Sequence, residues 1–195
     1  MSFRSLKLIE VDHYEEIASA LISILQANLT EEAYVVRPLI WEVSAWLRTL
    51  IANGYDTWEA LREYSRSVHR LHLDISIVIE NKNNWKFEIV IFEIKKTRTI
   101  WLTELSQLIW YCLVSKSEFW ILVNVDNSIS SEFSIILNAD KDLTEIKRII
   151  DDEVYIHKFW VMVWDSTTKS FNYLDTNMAI KTLSGLAKLI QSAVW

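Results

Sequence analysis

The stretch HLDISIVIENKNNWKFEIVIFEIKK, residues 72 to 96, constrains the fold more than any other part of the chain. Two short apolar runs rich in isoleucine and valine flank a polar NKNN segment, the pattern of an antiparallel hairpin with strands over about 71–80 and 86–96. With Asn83 and Asn84 as a two-residue turn, residues whose numbers sum to 167 face each other across the ladder. Asp74 then lies opposite Glu93 and His72 opposite Lys95, and because side chains two apart share a face, the four form one polar cluster. Two carboxylates about 5 Å apart repel by about 3 kcal/mol at an effective dielectric of about 20. A shared proton, Lys95 or a divalent cation can offset that repulsion, and oxygen ligands with room for water suit Mg²⁺ or Mn²⁺. The plain alternative is a solvated strand end.

Composition narrows the classes open to such a chain. Its 195 residues, 51% of them hydrophobic, suffice for one domain with a sizeable core spanning 1–195. A single cysteine, Cys112, excludes a disulfide framework and a multi-cysteine zinc site. The opening MSFRSLKLIEVD meets charge too early for a signal-peptide apolar stretch, and the apolar run 105–125 is broken at Lys116 and Glu118 before it reaches a membrane span. The expectation is a soluble, cytoplasmic protein with no membrane partner. A net charge of −6 gives no global attraction to nucleic acid, so any such contact needs a local basic cluster.

Two glycines and one proline leave the remaining elements to be read from periodicity and caps. Asp12 with Glu15 forms a capping-box pattern ahead of a helix over about 12–29, striped by Ile17, Leu21, Ile24 and Leu25. A second helix is expected over about 39–53 and a third from Asp56 to about 66. After the hairpin come a helix over about 103–116, a strand at 118–125, a Ser-rich loop at 127–134 and a helix near 141–151. A hairpin of 156–165 and 170–175 and a closing helix near 182–193 complete an α/β layered sheet without repeats or linkers. A second Glu-x-Lys triplet, Glu145 to Lys147, falls in the expected 141–151 helix, where residues two apart diverge, so it reads as a solvated face.

The order LD at 73–74, FEIKK at 92–96 and QLIWY at 107–111 resembles the PD-(D/E)XK nuclease superfamily, particularly RecB-like and archaeal or viral branches with a Q-x-x-x-Y motif. The resemblance implies a restriction-endonuclease-like fold: a mixed central sheet flanked by helices, with an αβββαβ core, preceded here by N-terminal helices and followed by a hairpin and a helix. It also implies a Mg²⁺-dependent deoxyribonuclease in which Asp74 and Glu93 bind metal, Lys95 orients or activates water, and Gln107 and Tyr111 support the site. Glu42 is the candidate for the extra acid that such families draw from an N-terminal helix. The match departs from the family at Leu73, where a proline usually precedes the first acid, and in the lack of a clear strand between residues 66 and 71 to begin the meander.

Basic residues flank the cluster: Lys96 and Arg98 after it, Arg66 and Arg70 before it, with His72 on its face, all candidate DNA contacts. A degenerate nuclease fold acting as a DNA-binding or assembly protein is the alternative, and an unrelated α/β protein holding a structural cation is another. Trp110, Trp120, Trp160 and Trp164 sit in apolar patterns and are expected in the core or an interface. The run HKFWVMVWD is apolar on both faces; taken as a peripheral hairpin, it predicts a two-fold homodimer that covers its second face.

Overall fold

The computed structural model describes residues 11–29, 34–40, 73–84, 86–101, 103–106, 108–109, 117–139, 144–150, 152–174 and 180–193. In chain order its elements are α1 (Tyr14–Asn28), β1 (Tyr34–Ile40), β2 (Ile75–Asn81), β3 (Phe87–Lys95), β4 (Phe119–Val125), α2 (Ser131–Ala139), β5 (Glu145–Ile150), β6 (Glu153–Asp165), β7 (Ser170–Tyr173) and α3 (Leu183–Ala193). Residues 103–106, 108 and 109 are also helical. The strands form one mixed sheet in the order β1-β2-β3-β4-β6-β5, with β7 also paired to β6. β1, β2 and β3 are an antiparallel meander; β4 runs parallel to both β3 and β6. Every residue of β2 and β4 is buried, as near-continuous apolar strands require when both faces of a sheet are covered.

The hairpin register is the expected one: Ile75 pairs with Phe92 and Ser76 with Ile91. The turn is longer than two residues. The last rung among the described residues is Asn81 N–H to the Lys86 carbonyl at 2.8 Å, and residues 82–84 already lie in the turn. Side-chain oxygens shape it: Asn81 Oδ1 accepts from Asn83 N–H and Asn84 Oδ1 from Lys86 N–H, each at 2.9 Å. Both turn lengths are centred between Asn83 and Asn84, which is why the pairing is unchanged.

The meander's first strand lies far upstream, at Tyr34–Ile40, paired to β2. It takes Leu39 and Ile40 out of the helix expected to start at 39; the rest of that helix and the next fall outside the described residues. Pro38, exposed, sits in this edge strand, where a missing N–H leaves no gap in an interior ladder. α1 begins at Tyr14, two residues later than expected. Its N-cap is His13, not Asp12, and no side chain caps it. The His13 ring instead meets Lys96, Nε2 to Nζ 2.9 Å. Tyr14, Ile17, Ala18, Leu21 and Leu25 are its buried face, which packs on β1 and on α3.

Two expectations in the second half fail. The Ser-rich loop ends at Ser130, whose hydroxyl accepts the Phe133 N–H at 3.0 Å and so caps α2. Residues 145–150 form strand β5, not a helix, antiparallel to β6 through a tight turn in which Asp152 takes φ 65°. Isoleucine is compatible with either state, and the long neighbouring strand supplies the pairing that decides it. Glu145 and Lys147 therefore share a face after all.

The run HKFWVMVWD is the interior of β6, flanked by β4 on one side and by β5 and β7 on the other. Trp160, Val161, Met162 and Trp164 are fully buried, as is Trp120 on β4; Trp110 lies outside the described residues. An apolar run on both faces marks a central strand here, so the premise of a peripheral, uncovered hairpin falls. No helix among the described residues is long and apolar enough to cross a membrane.

Candidate functional site

The candidate site forms where the β2–β3 ladder opens. The rung at Asn81 and Lys86 fixes which pairs exchange hydrogen bonds, and counting along the ladder puts Ile94 opposite Leu73 in the next such pair beyond Ile75 and Phe92. The chain bends at Asp74 before that rung can form, and Asp74 Oδ2 accepts the Ile94 N–H at 2.8 Å instead. The carboxylate thus replaces a ladder carbonyl, which explains an acid only 9% exposed at the head of an apolar strand. The opposing residue in the extended register is Glu93, 2% exposed. Lys95, two residues on and on the same face, places Nζ 2.6 Å from Glu93 Oε1, with its side chain 14% exposed. Glu93 and Lys95 are thus joined directly, and Asp74 is tied to the backbone of Ile94, the residue between them.

Neighbouring strands pin this end of the sheet. Asn124, fully buried, lies opposite Lys95 on β4. Its side chain accepts the Thr97 N–H at 3.2 Å and donates to the carbonyls of Thr97 (3.2 Å) and Ser128 (3.3 Å), tying the segment after β3 to the loop after β4. Its signal in the sequence is a lone amide in the otherwise apolar FWILVNV. Ser76, also fully buried, stands two residues after Asp74, and its hydroxyl has no hydrogen-bond partner among the described residues. A serine inside ISIVI was the cue for it.

The basic candidates divide. Lys96 is engaged between His13 and Asp126, 3.5 Å from Asp126 Oδ2. Burial alone would raise the Asp126 carboxyl, but hydrogen bonds from Ser166 and the Lys96 charge outweigh it and hold it below its ordinary value. Lys96 thereby ties the end of β3 to α1 and to the loop after β4, a role the sequence does not announce. Arg98 is exposed just beyond. Gln107, Tyr111, Glu42, Arg66, Arg70 and His72 lie outside the described residues.

A second charged group occupies the opposite end of the sheet, five residues and roughly 17 Å down β3 from Glu93. Glu88, partly buried, accepts the Glu118 N–H at 3.2 Å, and Glu118 is ion-paired with Lys158 of β6. Burial pushes the Glu88 carboxyl up to about 8, helped by the Glu118 charge and opposed by hydrogen bonds and by Lys158. The two glutamates line a cavity of about 380 Å³ with residues 154–157 of β6. Buried His157 in that wall meets the Ser117 carbonyl through Nδ1 at 2.6 Å and lies against the Trp120 ring.

Comparison of the chain with family models, with curated proteins and with solved structures finds no match.

Proposed function

We propose that this chain adopts a restriction-endonuclease-like architecture and hydrolyses DNA phosphodiester bonds with Mg²⁺ or Mn²⁺. The observation that carries the reading is the Glu93–Lys95 pair at the open end of the β2–β3 ladder with Asp74 held by the N–H of Ile94 between them. In support, an antiparallel three-strand meander, a helical segment and a parallel strand follow one another in the order that the sequence resemblance implies. Asp74 and Glu93 are both anchored, one by a backbone N–H and one by an ammonium, so they offer hard oxygen donors in fixed positions, the donor chemistry of a largely hydrated divalent cation. Among the described residues no third carboxylate or histidine joins them, which leaves Glu42 as the proposed further acid.

A cation held by Asp74 and Glu93 would lower the pKa of a water and offset charge developing on the phosphate. Lys95 is the group that holds the attacking water, its position set by Glu93 beneath it. Gln107 and Tyr111 support the site from the helical segment, and Arg98, Lys96, Arg66, Arg70 and His72 are the proposed DNA contacts, with Lys96 acting mainly through the loop it ties down. The test is cleavage of labelled duplex, single-stranded, branched and RNA substrates with and without Mg²⁺ or Mn²⁺. Metal-dependent cleavage that Lys95→Ala abolishes, while DNA affinity stays within about threefold, is the expected result. DNA binding without cleavage on every substrate would instead point to a non-catalytic descendant of the same fold, and neither binding nor cleavage would remove nucleic acid from the account.

A further inference from the structure

The segment that leaves β3 just beyond Lys95 reads KTRTIW, residues 96–101, and it is pinned along its length. Asn124 accepts the Thr97 N–H at 3.2 Å, and the Thr97 hydroxyl donates to the Thr99 carbonyl at 3.0 Å. Ile100, fully buried, bridges to Ile129 in the loop after β4. Glu104 Oε2 accepts the Trp101 N–H at 2.9 Å while the Trp101 carbonyl accepts the Leu105 N–H at 3.4 Å, the reach-back of a capping box with Trp101 at the N-cap. The Trp101 ring meets Phe133 of α2 in an edge arrangement, centroids 6.4 Å apart. The ring is held in place but not put away. Among the described tryptophans, Trp120, Trp160 and Trp164 are fully buried, whereas Trp101 is 41% exposed. Arg98, three residues before it, is exposed as well. An exposed cation and an exposed aromatic on an anchored arm are the two elements with which proteins take up a single strand, the one for phosphate and the other for a base face.

We propose that Trp101 stacks on an unpaired base of the substrate strand and that Arg98 holds a neighbouring phosphate, so that DNA single-stranded or frayed beside the scissile bond is preferred to intact duplex. The inference rests on the nuclease reading of Asp74, Glu93 and Lys95. Six residues separate Trp101 from Lys95, at most about 20 Å of chain, which keeps the ring within a few nucleotides of the phosphate that Lys95 would serve. In an intact duplex each base face is already stacked on a neighbour, so a side chain gains a face only where pairing is broken. Stacking asks for no hydrogen bond to a base edge, so the preference it creates is for strandedness and not for sequence. With a net charge of −6 the chain draws no strand in as a whole, which leaves the contact to local groups such as these.

Fluorescence anisotropy of a labelled oligo(dT) and of a blunt-ended duplex, without added divalent metal so that nothing is cut, tests this on variants whose folding is checked by circular dichroism. Trp101→Ala should weaken oligo(dT) binding by about 5- to 150-fold and duplex binding by no more than about twofold. Trp101→Phe, which keeps a π-face, should restore most of that loss. Arg98→Ala should weaken both substrates and lower the salt dependence by about one phosphate contact, and an unchanged salt dependence would take Arg98 out of the contact. If the alanine variant does not fold, Trp101→Leu keeps an apolar contact with Phe133 but has no π-face, and serves in its place. An oligo(dT) affinity unmoved by loss of the ring overturns the proposal, as does an equal loss on both substrates. Wild-type protein that binds neither substrate removes this proposal and the nuclease reading together. Metal-dependent cleavage that needs Lys95 but is indifferent to Trp101 removes this proposal alone, whereas Trp101-dependent binding of oligo(dT) by a protein that cuts nothing keeps the stacking and removes the hydrolysis.

Discussion

Asp74 has two separable tasks, and substituting it twice tells them apart. Its Oδ2 is the acceptor for the buried Ile94 N–H, and its charge belongs to the proposed metal site. Asp74→Ala orphans that N–H, which costs about 1–3 kcal/mol. Relief of repulsion with Glu93 returns little, because Lys95 already neutralises Glu93 at 2.6 Å. A net loss of about 2 kcal/mol lowers Tm by roughly 4–8 °C in a chain of this size. Asp74→Asn keeps a carbonyl acceptor in the same place and should shift Tm by no more than about 3 °C, roughly 1 kcal/mol. Metal separates the second task. For wild type, Mg²⁺ or Mn²⁺ at about a hundredfold excess over its dissociation constant adds about 2.7 kcal/mol, roughly 5–11 °C. Both variants should lose that rise. Thermal unfolding followed by circular dichroism, with and without metal, gives all the values in one series. If the alanine variant were as stable as the asparagine one, Asp74 would not be holding the Ile94 N–H. A full metal response in either variant would take Asp74 out of the proposed site.

Two further predictions concern stability elsewhere. Because the Glu88 carboxyl is raised from 4.5 to about 8 in the folded state, the fold binds more protons than the unfolded chain between those values; its contribution is most favourable below about pH 4.5 and is lost as pH rises toward 8. Glu88→Gln should flatten urea-unfolding stability across that window and exceed wild type at pH 8 by about 1–3 kcal/mol, short of the full linkage value because the side chain is only partly buried; an unchanged slope would show that another group titrates. Trp164→Glu places an unpaired charge in a fully buried position of β6 against Phe171, a loss of more than about 4 kcal/mol, so the variant should show no cooperative unfolding transition. A native-like melt for that variant would mean that this part of β6 is not core.

What the sequence determined by itself was local and periodic. Alternation on either side of an Asn pair fixed the β2–β3 register to the residue, and with it the nearness of Asp74 to the Glu93–Lys95 segment, because a turn centred on the same point gives the same pairing at either length. The 3.6-residue stripe placed α1 and α3 within about two residues, since one buried face is enough to define a helix. Partner choice across the chain was decided by tertiary structure alone. β1 reaches β2 across residues 41–74, a separation that no local pattern encodes, and EIKRII became an edge strand because β6 was there to pair with it. β6 itself was legible as doubly apolar but not as central, since of its neighbours β5 and β7 flank it in sequence while β4 comes from before α2. The ties around the site were equally hidden: Asn124 reaching Thr97 and Ser128, and Lys96 bridging His13 and Asp126, join segments that only folding brings together. Their energetic reason is a tertiary one, for a buried amide or a half-buried ammonium finds whatever partners the packed chain presents, and the sequence names the group without naming the partner.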